Sequence, residues 1–198
     1  SRRKGPKMIV CLPNCAYLSE TSRMVAIYRA LQARGAPVAM ATHGGSHAWV
    51  LDREGIPYEL LEPRMSDDRG QRLVAEGPGM GPPGQSMWTD DEIRRCAQAE
   101  RAYFASCGAR AVVTGFQLTT LLSSRLADIP TVTSHAGSWV PPVFERKMLP
   151  PLDEPPLAIF RYLPRPIGRA FANSGPPRYM GHLGGFNRIA AELGVEPV

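Results

Sequence analysis

Long apolar runs are missing from this 198-residue sequence. None approaches the ~18 residues of a membrane span, and no apolar stretch follows the basic N-terminus as a secretory leader would require. A cytoplasmic protein with no membrane partner is expected. Cysteine is scarce, at positions 11, 15, 96 and 107. A chain of this size has a core and needs no disulfide staples, so the four are expected to be reduced. Cys11 and Cys15 lack a second close Cys or His pair, so no metal site is expected. Lysine is nearly absent, since 20 of the 23 basic residues are Arg, and no dense basic stripe is interleaved with aromatics. Nucleic acid is therefore not expected as a partner. The net charge of +5 owes four charges to Arg2, Arg3, Lys4 and Lys7.

Two catalytic or nucleotide-binding signatures are missing as well, and a third is absent from the loop where it would act. The first strand-to-helix loop has no GxGxxG, and no GxxxxGK[ST] or GxSxG occurs. Usual dinucleotide or nucleoside triphosphate binding and an elbow-type serine hydrolase are thereby excluded.

What is present is an alternation of strand and helix signals. Lys7–Leu12 reads as a strand buried on both faces. Ser19–Arg34 carries Met24, Ile27 or Tyr28, and Leu31 at helical spacing and is stopped by Gly35. Pro37–Thr42 is a second strand, about Ser46–Glu54 a helix, and Tyr58–Leu61 a third strand. From Pro63 to Met87 no regular element is expected, because EGPGMGPPGQ (76–85) holds four Gly and three Pro in ten residues. Thr89 followed by Asp90, Asp91 and Glu92 marks the start of a helix running to about Cys107. Ala111–Thr114, Gln117–Leu126 and Thr131–Ser134 complete a strand, a helix and a fifth strand. The fold class is α/β, a Rossmann-like doubly wound parallel sheet with a Pro-rich helical C-terminal appendage. The expected division is a basic tail (1–6), the sheet domain (7–140), and a segment (141–198) that holds 11 of the 20 prolines and two helical candidates, Leu157–Ala172 and Phe186–Leu193.

Open parallel sheets bind ligands beyond the carboxyl ends of their strands. His43, His47 and His135 fall in those loops, with turn and capping roles as the alternative. Tyr17, Met87, Trp88, Phe116, Trp139 and Phe144 lie in or beside the same rim, where flat apolar side chains suit a hydrophobic ligand, core packing being the alternative. Arg161, Arg165 and Arg169 repeat every four residues, the spacing of a solvated helix face, interrupted by Pro164 and Pro166.

The segments KMIVCLP, ETSRMVAIYRALQARGAPVAMATHGGSHAWVLDREGIPYELL, ARAVVTGFQLTTLLSSRLADIPTVT and GGFNRIAAELGVEPV occur in that order. Together they resemble the N-terminal, acceptor-binding domain of GT-B glycosyltransferases related to the UDP-glucuronosyl, macrolide and antibiotic enzymes. The resemblance implies inverting transfer of a sugar from a nucleotide-diphosphate donor to a hydroxyl of an apolar natural product. It implies that the donor, a co-substrate rather than a cofactor, is held mainly by a second Rossmann-like domain that this sequence does not contain. That domain is expected either in continuation of the chain or as a separate chain, so these residues alone are expected to be inactive. A non-catalytic binding or recruiting subunit of a split glycosyltransferase is the alternative. The family's base follows the first strand, usually His in a GxxGH pattern. Aligned on Arg23, that position is Glu20 here, and Asn14-Cys15-Ala16-Tyr17 replaces the family's glycines. Glu20 is thus the candidate base, with His43 and His135 as alternatives.

Overall fold

A computed structural model of the chain describes residues 8–75, 87–135, 145–148, 162–174 and 183–198. Strand β1 (Met8–Cys11) is the short apolar run, with Val10 and Cys11 fully buried. Helix α1 (Leu18–Ala33) returns over the sheet, followed by β2 (Val38–Gly44), α2 (Trp49–Arg53) and β3 (Tyr58–Met65). Helices α3 (Asp67–Ala75) and α4 (Asp90–Cys107) lead to β4 (Ala109–Thr114), α5 (Thr120–Leu126) and β5 (Thr131–Thr133). Helices α6 (Arg165–Ala172) and α7 (Leu183–Leu193) follow. The five strands pair in the order β3-β2-β1-β4-β5, every neighbour parallel. The sheet is the expected Rossmann-like one.

Parallel strands need covering on both faces, and three apolar clusters supply it. On one face Met24, Val25 and Tyr28 of α1 and Val50 and Leu51 of α2 pack on Cys11, Met40 and Val113. On the other, Phe104 of α4 packs on Val10, Leu12, Ala41 and Val112. Beyond it Ile93 and Ala97 of α4, Leu122 of α5 and Phe186, Ile189 and Ala190 of α7 form a third cluster. The chain's last helix therefore belongs to the core of the sheet domain. Burying Phe186 and Ile189 is worth ~1.5–3 kcal/mol each. The ion pairs Arg94–Glu192 and Arg188–Asp90 join the same two helices on the exposed surface, where solvent screens them, so apolar burial holds α7 in place.

Helix α4 starts as its sequence predicts. Thr89 Oγ1 accepts from the Glu92 N–H at 3.1 Å, and Glu92 Oε2 accepts from the Thr89 N–H at 2.8 Å. Gly108, at φ +66°, ends it. Thr89→Ala is expected to cost about 1 kcal/mol, read as a lower denaturant midpoint with an unchanged slope.

Three expectations are corrected. The stretch after Pro63 holds regular structure, since β3 continues to Met65 and α3 follows. Among the described side chains of α3 only Gly70 and Leu73 are buried, too few for an apolar period to show. Ser46–Ala48 is a turn, with α2 beginning at Trp49. Pro166 does not interrupt a helix but sits in the first turn of α6, where its missing N–H has no partner to lose. Segments 1–6 and 76–85, Arg161 and most of Leu157–Ala172 before α6 lie outside the described residues.

Candidate functional site at the sheet switch point

Sequential strands step one way from β1 to β3 and the other way from β4 to β5, so the loops after β1 and β4 diverge and leave a crevice. Glu20, in the first turn of α1, fills its base and is 1% exposed. Its Oε1 accepts from the Asn14 N–H at 2.9 Å and the Gly115 N–H at 3.2 Å, one donor from each loop. Its Oε2 is equally buried and has no hydrogen-bond partner among the described residues. Burial pushes the Glu20 carboxyl above its ordinary value, against the pull of the Asn14, Phe116 and Gly115 N–H groups and of the Arg23 charge.

The crevice is built closely around that carboxylate. Asn14 Oδ1 accepts from the Ala16 N–H at 3.0 Å, and Asn14 Nδ2 donates to the Phe116 carbonyl at 3.4 Å. A Cβ at position 115 would lie 2.9 Å from the Ser134 carbonyl oxygen and 3.0 Å from Glu20 Cδ, so only glycine fits. The rings of Tyr17 and Phe116, both half-buried, meet edge to face at 4.8 Å, and the Tyr17 hydroxyl donates to the Leu73 carbonyl at 3.5 Å. Burial, and then the charge of Glu20, raise the Tyr17 phenol. Exposed His135 lies just past β5. Partial burial and the nearby Arg23 charge lower its pKa, favouring the neutral imidazole.

Met87, Trp88 and His43 depart from the rim reading. Met87 and Trp88 are 3% exposed and pack in the third apolar cluster with Leu73, Ile93 and Phe186, because the chain entering α4 turns into the core there. His43 is in strand β2, 1% exposed, rather than in the loop beyond it. Its Nδ1 faces the Pro63 carbonyl at 3.0 Å and its Nε2 faces Glu100 Oε1 at 3.2 Å. Both partners are acceptors, so both ring nitrogens carry protons, and an imidazolium has no lone pair with which to act as a base. Burial alone would lower the His43 pKa. Contact with Cys96 and with the Glu100 carboxylate outweighs it and raises the value to about 10.

The sign of the resulting pH effect follows from linkage. Folding raises the His43 pKa from 6.5 to about 10, so its contribution is complete below 6.5 and is lost as pH rises towards 10. Denaturant midpoints are expected to fall across that window, and His43→Gln is expected to flatten the fall.

No family model matches the chain, and no curated protein matches it. Solved structures do. The glycosyltransferase SnogD from Streptomyces nogalater superimposes with a TM-score of 0.57 at 15% identity, covering 96% of this chain and 42% of that one. VinC, a glycosyltransferase in complex with DTDP, gives 0.54 at 14% identity, with 96% and 46% covered. SsfS6, a glycosyltransferase of Streptomyces sp. SF2575, gives 0.52 at 14%, with 96% and 47% covered. The chain has the fold of a GT-B glycosyltransferase domain. It spans less than half the length of these structures.

Within this GT-B-like fold, the sequence points to Glu20, Tyr17 and Phe116, and the structure brings all three to the crevice. The sequence places Asn14 and Gly115 in the rim loops but gives them no role, and these two hold the Glu20 carboxylate. Asn14 follows Pro13 in the first rim loop, and Gly115 directly follows β4, positions where a ligand-facing backbone is expected. Glu100 was passed over too, although Ile93, Cys96, Ala97, Glu100 and Phe104 share the buried face of α4 at helical spacing. A carboxylate on that stripe is itself a signal. Trp139 and Phe144 lie outside the described residues. Arg165 and Arg169 meet Lys147 around an open cavity of about 810 Å³. Among the described residues no group of three His, Cys, Asp or Glu is placed to hold a metal, and no helix is long and apolar enough to cross a membrane.

Proposed function

We propose that this chain is the acceptor-binding half of an inverting glycosyltransferase, moving a sugar from a nucleotide-diphosphate donor to a hydroxyl of an apolar natural product. The observation that carries the reading is the buried Glu20 carboxylate at the switch point, with one oxygen held by two backbone N–H groups and the other without a partner among the described residues. An acceptor hydroxyl supplies the missing donor. As that hydroxyl oxygen attacks the anomeric carbon, Glu20 Oε2 takes its proton, and the sugar–phosphate bond breaks with its electron pair leaving on the diphosphate. Attack from the face opposite the leaving group inverts the carbon. A carboxyl raised by burial is a stronger base than a solvated one. Tyr17 and Phe116 are the rings that an entering aglycone parts and then packs against.

Neutral His135, exposed beside Arg23, is the second candidate for the base. The diphosphate is the business of a second domain, outside these residues or on another chain. Calorimetry on the 198-residue chain tests the division. Hydroxylated apolar aglycones are expected to bind, while UDP-glucose and TDP-glucose bind weakly or not at all and no transfer occurs. Tight donor binding, or turnover by this chain alone, overturns the assignment.

A further inference from the structure

Glu100 is fully buried on α4, and its carboxylate gathers donors from three other elements. Oε1 accepts from the His43 imidazolium at 3.2 Å, from Gln117 Nε2 at 3.2 Å and from Thr119 Oγ1 at 2.5 Å. Oε2 accepts from Ser123 Oγ. His43 balances the charge, and Ser123 ties the carboxylate to α5. Gln117 and Thr119 have a different place. They sit in the five-residue loop 115–119 between β4 and α5, the loop whose other end supplies the Gly115 N–H to Glu20 Oε1 and the Phe116 carbonyl to Asn14. Gln117 Nε2 also donates to Thr119 Oγ1 at 2.6 Å, so the two anchors brace each other.

Two buried carboxylates thus grip one short loop from opposite ends. A loop of five residues has little slack: at ~3.3 Å per residue, the Glu100 anchors Gln117 and Thr119 stand only two and four positions from Gly115. We propose that Glu100 is a positioning residue for Glu20, holding the loop 115–119 where the Gly115 N–H meets Glu20 Oε1 and thereby leaving Oε2 as the oxygen free to receive a proton. Glu100 touches no reacting group. The proposal rests on the reading of Glu20 as the base for its purpose, but the contact it describes is measurable without any sugar transfer.

The sign of one measurement separates positioning from other roles. A hydrogen bond donated to a carboxylate favours its ionised form, so losing the Gly115 N–H raises the Glu20 midpoint. Removing the negative charge of Glu100 acts through space in the opposite direction. The other titratable groups that interact with Glu20 are Arg23 on its own helix and Cys15 and Tyr17 from the loop after β1, none of which the variants alter.

The experiment is a carbon-13 carboxyl titration of Glu20 together with amide hydrogen exchange at Gly115, on the full 198-residue chain. Thr119→Val and Glu100→Gln are expected to raise the Glu20 midpoint and to speed Gly115 exchange roughly tenfold, the loss of one hydrogen bond. Ser123→Ala removes a bond to the same carboxylate from α5, outside the loop, and is expected to leave both readings unchanged. A Glu20 midpoint that stays or falls in Thr119→Val, or that moves equally in Ser123→Ala, overturns the proposal. Thr119→Val keeps the His43–Glu100 pair and decides the matter if Glu100→Gln does not fold. Should Glu20→Gln leave transfer intact while these shifts appear, Glu20 is not the base and the loop anchoring stands.

Discussion

Glu20→Gln in the complete enzyme is expected to cut turnover by ~10²–10⁴ while acceptor affinity stays within a few-fold. Gln keeps the shape and can still present an oxygen to the Asn14 and Gly115 N–H groups, so the crevice survives while the proton acceptor is gone. Rate against pH carries a second signature. The base must be ionised, so the acid limb of kcat should fall with a midpoint above the 4.5 of an ordinary Glu, in the direction burial has moved this carboxyl. Stability is expected to move the other way. A carboxyl whose folded pKa is raised makes the folded state the better proton binder, so stability declines as pH rises above 4.5 through the folded value, and the deficit persists at neutral pH. Removing the charge lifts that deficit. A variant that loses rate and gains melting temperature marks a group strained for function, whereas unchanged turnover moves the base to His135.

Gly45→Ala is expected to be the most disruptive single methyl in the described chain. Gly45 has φ +122°, a backbone region that L side chains rarely adopt, and a Cβ there would lie 2.6 Å from both the Ala16 nitrogen and the Cys15 carbonyl carbon. Those obstacles are backbone atoms that cannot rotate away. The same turn holds the loop after β1 by donating the His47 N–H to the Cys15 carbonyl at 2.9 Å. Strain and overpacking together suggest a cost of roughly 2–6 kcal/mol, a large part of the 5–15 kcal/mol that holds an ordinary domain together. The loop it displaces carries Asn14 and Tyr17, so binding of an aglycone should weaken further than stability alone predicts. A melting curve matching the parent's would refute the estimate.

The order of elements was legible because the strands are short, apolar and punctuated. Gly35, Gly55 and Gly108 each stand at positive φ where a helix ends, and Thr89 with Glu92 gives α4 its start. Helix α3 was not legible from periodicity because its sequence is polar and only Leu73 reaches the core as a large side chain. Ser66 followed by Asp67 and Asp68 was the better clue, since Ser66 Oγ accepts from the Arg69 N–H at 3.2 Å. At the site, Glu20 was accessible through resemblance. Its backbone donors were not, because nothing in Asn14 or Gly115 states which carboxylate their N–H groups will meet. His43 shows the opposite failure. A polar residue near a strand's end reads as rim, and only Pro63 and Glu100, 20 and 57 residues away, reveal it as a core cation.

The four free thiols turn this core into its own timer. Cys11, Cys15 and Cys96 are buried, and desolvation lifts each above the ordinary thiol value, Cys11 to about 12. Iodoacetamide alkylates the thiolate, not the thiol, so at neutral pH these three wait for the chain to open. Half-buried Cys107, at the end of α4, is exposed by fraying of one turn. The burst and slow phases of iodoacetamide labelling therefore separate the loosening of a helix end from the opening of the core around Cys11, Cys15 and Cys96, without adding a probe to the molecule.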